Sequence, residues 1–140
     1  MLFRSWYRFD AAGKIIAAPA GTFAALATET ITPVVVDGKL FGAGRGLHCL
    51  SLRDGLKPLW QRMENLGDHA SFFADAERVL VVSNGGELLL LDARSESATV
   101  LARARLFEGD VETYAHPALA GTRLYARGAA SVVCVDLAVN

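Results

Sequence analysis

The chain sets a histidine beside a cysteine at His48-Cys49, in the run HCLSLRDG, with Asp54 a few residues on. These residue types could make a thiolate with its base, or a pair of metal ligands. Two further histidines stand near acidic and phenolic residues. His69 directly follows Asp68, and His116 comes shortly after Glu112 and Tyr114. A metal or acid–base site needs nitrogen and carboxylate donors converging at one point. His69, His116, Asp68 and Glu112 are the set that could supply them, with Tyr114 alongside. The glycine-dense GAGRG (42–46) lies between two apolar runs rather than ahead of a helix, so it fails the context of a dinucleotide loop. Asp92 and Asp136 recur at matching places. They read as caps of a following turn, not as a catalytic carboxylate pair.

Composition removes several classes. Of 140 residues, 52% are hydrophobic and 21% charged, which suits a packed core rather than disorder. The net charge is −1 and the basic residues are scattered, so no phosphate-binding surface and no nucleic-acid partner is indicated. The two cysteines are far apart and form no CxxC, so a zinc ribbon or a thioredoxin-type centre is not supported. The longest uncharged run, Ile15–Thr28, is interrupted by Pro19 and Gly21 and falls short of the ~20 residues of a spanning helix. Lys14, that run and Ala25-Leu26-Ala27 also permit a signal-peptide reading.

The elements that must position these residues repeat. Thr32–Trp60, Ala70–Ser97 and His116–Asn140 each read as apolar strand, turn with Asp or Gly, second strand, glycine-containing turn and third strand. The third strands end at Ser51, Asp92 and Asp136, spaced 41 and 44 residues. Counting 41 back from Ser51 reaches Asp10, so an incomplete copy opens the chain. Asn84-Gly85 is the strongest hairpin signal and suggests a type I′ turn. Gln61–Asp68 and Leu101–Asp110 link the copies and hold either a fourth strand or an irregular loop. No sustained helical stripe occurs. GELLLLDA and SVVCVDL are apolar on both faces, so such strands need cover on both sides. A period of 40–45 with three to four strands is that of a propeller blade. The fold class expected is all-β, a partial propeller of about three four-stranded antiparallel blades plus a fragment of a preceding one. The expected limits are 1–26 for the fragment, 27–66 and 67–110 for two blades, and 111–140 for a last blade lacking its outer strand.

The residues resemble the pyrroloquinoline-quinone-type (quinoprotein-like) β-propeller repeat. The first copy carries Pro33, Gly38, Leu40-Phe41, Gly46, Leu47, Leu50, Gly55 and Trp60, with Ser51 where that repeat prefers Asp. The second carries Val79-Leu80, Gly86, Leu88, Leu91 and Asp92, without the Pro or the Trp. The third carries Pro117, Gly121, Leu124-Tyr125, Gly128, Val132, Val135 and Asp136. The resemblance implies an exported bacterial protein, periplasmic or secreted. Its cofactor-using members carry calcium ligands, a tryptophan platform and often vicinal cysteines, and none of these can be placed here.

Three blades and a fragment do not close a ring. The expectation is therefore the C-terminal part of a larger protein, with Met1–Ser5 fitting no strand register and read as a scar at a truncated start. The remaining blades are the first expected partner, and a protein partner the second. Within this frame His48 and Cys49 match Leu89-Leu90 and Val133-Cys134, so they are packing positions on a third strand. Cys49 and Cys134 fall in one slot two blades apart, too far to bridge. His116, His69 and Thr32 precede the first strands and would rim the central channel. His116, His69, Asp68, Glu112 and Tyr114 are thus the ligand-binding candidates, set against a rim that is merely solvated. The expected role is a non-catalytic scaffold or protein-binding surface, with no cofactor in this chain. The alternative is part of a quinoprotein-type dehydrogenase using pyrroloquinoline quinone (PQQ) and calcium, its cofactor residues mostly in other blades.

Overall fold

A computed structural model describes residues 4–26, 31–109 and 111–138. The chain is all-β and forms a partial propeller of antiparallel meanders, each strand pairing with the next in sequence. Blade one is β3 (Val34–Val36), β4 (Lys39–Gly44), β5 (Gly46–Ser51) and β6 (Lys57–Arg62), preceded by the pair β1 (Arg4–Trp6) and β2 (Gly21–Phe23). Blade two is β7 (Ala70–Ala74), β8 (Arg78–Ser83), β9 (Glu87–Asp92) and β10 (Val100–Arg105). Blade three is β11 (Ala118–Ala120), β12 (Arg123–Arg127) and β13 (Val132–Asp136). Among the described residues no helix is long and apolar enough to cross a membrane.

The sequence repeat is a repeat of backbone register. Lys39 pairs with Ser51, Arg78 with Asp92 and Arg123 with Asp136, so the second and third strands of all three blades superpose residue for residue. Side chains alternate between faces along each strand. One set in blade one, Phe41, Leu47 and Cys49, packs against Val79, Val81, Leu89 and Leu91 of blade two. The other set of blade two, Leu80, Val82 and Leu88, packs against Leu124 and Ala126 of blade three. Leu40 and Leu50 turn the other way, onto Trp6, Phe23 and Leu26. A middle blade covered twice needs apolar residues at consecutive positions, which is the pattern of ELLLLD.

The blades are also locked at their edges. Lys39 Nζ donates to the carbonyls of Ala93, Arg94 and Ser95 at 3.1–3.3 Å, gripping the loop before β10. On the outer side Glu64 accepts from Arg62 at 2.6 Å and from Arg103 of β10, and Arg103 also reaches Glu87 at 2.8 Å.

The linking stretches, read as either a fourth strand or a loop, are strand in part: β6 runs through Gln61 and Arg62, and β10 takes the first half of Leu101–Asp110. Three expectations change. Arg4 and Ser5 do take a strand register: Arg4, Ser5 and Trp6 pair with Phe23, Thr22 and Gly21 in a two-stranded sheet, and Phe9 forms an isolated bridge with Ile15. Met1, Leu2 and Phe3 lie outside the described residues, as do Ala27, Thr28, Asp110 and Asn140. Most of the uncharged run is structural, with Leu26 buried in a short 3-10 turn against blade one. Finally, Asn84-Gly85 is not a type I′ turn. Only Gly86 there has positive φ, 74°. The two-residue turn with both central φ positive is Asp37 (44°) and Gly38 (73°), joining β3 to β4. Asn84 is instead buried, its N–H donating to the Leu66 carbonyl at 3.0 Å while its own carbonyl accepts from Thr113 at 2.8 Å.

Candidate functional site: a histidine-lined cavity at the blade rim

The segments that enter the first strands converge. Thr32 before β3, His69 before β7 and His116 before β11 line one small cavity of about 70 Å³, together with Ser71. The shared blade register brings them together, since each stands at the mouth of an inner strand. His69 is half-buried, and its Nε2 lies 3.4 Å from the buried Ser71 Oγ. The Tyr114 ring sits 6.3 Å from the His69 ring. His116 rests edge-on against Phe73, with ring centroids 5.4 Å apart. Its Nδ1 is 2.9 Å from the Pro117 carbonyl oxygen. A carbonyl only accepts, so Nδ1 carries the proton and Nε2 is the nitrogen left to take a proton or a ligand.

Two imidazoles and two hydroxyls around such a volume suit about two waters or a small polar group, at roughly 30 Å³ per water. Asp68 and Glu112 do not line the cavity, and both are exposed. Tyr114 meets His69 only through a tilted ring pair and is largely exposed. Among the described residues no three His, Cys, Asp or Glu side chains converge to hold a metal. The structure therefore brings together His69, His116 and Thr32, sets Tyr114 against His69 alone, and leaves the two carboxylates outside.

The His48-Cys49 pair sits elsewhere, in the middle of β5. Cys49 is fully buried facing blade two, and burial pushes its thiol up to about 11, with Lys39 pulling weakly the other way. His48 faces the opposite side, edge-on to Phe23 at 5.4 Å, and burial holds its pKa below the usual histidine range. Neither is poised for nucleophilic work, which needs an accessible thiolate. Cys134 departs from the packing reading. It holds the register of Cys49 and is exposed, because it points away from blade two with no blade over it among the described residues.

A larger feature was missed from sequence. An apolar groove of about 410 Å³ opens between blades two and three, floored by Leu88, Leu90, Ala102 and Ala104. The one signal for it was the tryptophan absent from the second copy.

No protein-family model and no curated protein matches the chain. Solved structures do. BamB from Moraxella catarrhalis aligns over 89% of this chain at 19% identity with a TM-score of 0.61. Quinohemoprotein alcohol dehydrogenase from Comamonas testosteroni aligns over 76% at 19% identity with a TM-score of 0.56. The fold is a partial β-propeller like the blades of both. At this identity the likeness is one of fold, and the chain spans 36% and 19% of the two proteins' lengths.

The rim cavity does not suit the quinone and calcium of quinoproteins. Calcium takes six to eight oxygen ligands, and the rim cavity offers two nitrogens and two hydroxyls in a space too small for a three-ring quinone.

Proposed function

We propose that the chain is a run of propeller blades that works without catalysis, as a scaffold presenting a protein-binding surface within a larger propeller protein. The observation that carries this is the outward face of blade three. Ala118, Tyr125, Val132 and Cys134 stand there exposed, with Val132 68% accessible, at registers that blades one and two bury or half-bury against the next blade. A contiguous apolar sheet face at these registers is one that a further blade or a partner protein would cover. Arg123 and Asp136 flank it as an opposed pair, the polar rim such a surface needs. Sedimentation and dye binding test the reading. The chain is expected to self-associate and to light up a hydrophobic dye, and the double variant Tyr125→Lys, Val132→Lys to lose both with an unchanged melting temperature. A wild-type chain that is monomeric and dye-silent would remove the support.

A second reading, part of a quinoprotein-type dehydrogenase, is favoured by the likeness to quinohemoprotein alcohol dehydrogenase. It requires the cofactor residues to lie outside the blades described. Incubating the whole protein with PQQ and calcium, then assaying alcohols and sugars, separates the two. Turnover would displace the scaffold reading.

A further inference from the structure

Three equivalent positions of the fold meet at the rim cavity. Lys39, Arg78 and Arg123 share one register. Opposite them on the inner side of each blade stand Val36, Asp75 and Ala120, Asp75 donating its N–H to the Arg78 carbonyl at 3.0 Å. Four residues before these come Thr32, Ser71 and His116. All three line the cavity of about 70 Å³, and His69, two residues before Ser71, joins them. The walls thus come from three consecutive blades rather than from the open face of an end blade.

The segments carrying the two histidines are tied to one turn. Asn84, between β8 and β9, donates its N–H to the Leu66 carbonyl at 3.0 Å and accepts from the Thr113 N–H at 2.8 Å. The Thr113 hydroxyl donates in turn to the Arg127 carbonyl at 2.6 Å. Each anchor lies three residues before a histidine.

The polar groups around the cavity can all donate. Ser71 is 3% exposed, and its Oγ lies 3.4 Å from His69 Nε2, a long hydrogen bond. A hydroxyl held so loosely keeps donor and acceptor capacity for a ligand. Thr32 adds a second hydroxyl. His116 commits its Nδ1–H to the Pro117 carbonyl, so its Nε2 donates only in the imidazolium form. No Asp, Glu, Lys or Arg lines the cavity, and blade one brings no charge to it. Asp68, Glu112 and Tyr114, the titratable neighbours on the two linkers, lie outside it, and the His116 ring packs on the apolar Phe73.

These groups select against a cation. Zinc is held by three or four protein ligands, at about 2.0–2.1 Å for histidine nitrogen. Among the described residues no third His, Cys, Asp or Glu joins the two histidines. Room for about two waters instead suits a group with two oxygens set at hydrogen-bond distance. Val34 and Phe72, on the same walls, offer apolar surface to a short hydrocarbon end.

We propose that the rim cavity binds the carboxylate of a short-chain organic acid together with one proton. The proton, taken from solvent, goes to Nε2 of His116. The imidazolium and the hydroxyls of Thr32 and Ser71 then donate to the carboxylate oxygens, and no covalent bond to carbon is made or broken. This site is independent of the scaffold reading, because blade three contributes to it through the entry to β11 and not through its outer face.

The probe is acetate, observed by saturation transfer from the full chain to its methyl protons at constant ionic strength. Saturable binding is expected at about pH 6. Because one proton is taken up, the dissociation constant should rise about tenfold per pH unit above the ordinary histidine range. His116→Ala should abolish the signal. Thr32→Val, at an exposed position, should weaken binding about threefold or more, and keeps the test decisive if His116→Ala does not fold. Methylammonium, similar in size and opposite in charge, should give no saturable signal. A signal that only grows linearly with acetate overturns the proposal. So does equal affinity at about pH 6 and about pH 8, or equal binding by wild type and a folded variant. Zinc that displaces acetate and is itself lost in both His69→Ala and His116→Ala would assign the cavity to a metal and overturn it as well. Self-association through blade three should be the same with and without acetate.

Discussion

At the residue scale, one repeat position can have opposite chemistry according to what lies over it. Cys49 and Cys134 share a register, yet the first is fully buried with its thiol pushed up to about 11 and the second is exposed. A thiol reagent should therefore modify one cysteine in the native chain, lost in Cys134→Ser, and reach Cys49 only on denaturation. Two equally fast thiols would contradict the burial of β5. His48 makes the reverse point, a polar residue at a packing register. Its Nε2 has no hydrogen-bond partner among the described residues, and its equivalents are Leu89 and Val133. A buried unpaired polar group costs about 1–3 kcal/mol, so His48→Leu should raise stability by roughly 1 kcal/mol once imperfect packing is allowed for. The pH dependence follows from the lowered pKa. Above the ordinary value of 6.5 neither folded nor unfolded chain protonates here. Below it the unfolded chain gains a proton that the folded chain resists, so stability falls as pH drops through 6.5. Denaturant melts between pH 8 and 5, about the usual histidine range, should show that loss in wild type and not in His48→Leu. An identical profile would mean that another group is responsible.

At the element scale, what was legible depended on how much of a strand's setting lies within the strand. β4, β5, β8 and β9 are covered on both faces and betray themselves by consecutive apolar residues. β6 and β10 were ambiguous because they sit at the outer edge. Their residues are mostly exposed, Pro58 interrupts one and VLARAR alternates in the other. The rim cavity was legible in part: the shared register pointed to Thr32, His69 and His116, while the facing of Asp68 and Glu112 depended on loop paths that no pattern encodes. The I′ turn was placed at Asn84-Gly85 on composition, but a hairpin's loop length decides its turn, and β8 and β9 leave three residues between them. The outer strands are joined to their neighbours by charge. For Glu64, burial opposes ionisation, but Arg62 and Arg103 outweigh it and hold the carboxyl below its usual range. Its contribution is thus complete above about 4.5 and fades as pH falls through that value. Glu64→Gln should cost about 1.5 kcal/mol at neutral pH, the low end for hydrogen bonds to charged groups because both arginines are more than a third exposed. The difference from wild type should shrink in melts at pH 3. A constant difference would place the cost in packing rather than in the ion pairs.

At the scale of the whole molecule, the stack behaves as a one-dimensional array, in which each blade gains stability only from its neighbours. Blade two has a packed interface on each side, running from Phe41 to Leu91 on one and from Leu80 to Leu124 on the other. Blade one has a full interface with blade two but, among the described residues, a smaller one with Trp6, Phe23 and Leu26 on its other side. Blade three has one interface and an open face. Protection from amide exchange should rank in that order, because local opening is easiest where least apolar surface is buried. The slowest amides are expected in β8 and β9, intermediate ones in β4 and β5, and the fastest of the strand amides in β11 to β13. Blade three exchanging as slowly as blade two would show that its outer face is covered in solution. In that event the Tyr125→Lys, Val132→Lys variant becomes the deciding measurement. If self-association supplies the cover, the variant should return blade three to fast exchange and leave β8 and β9 unchanged.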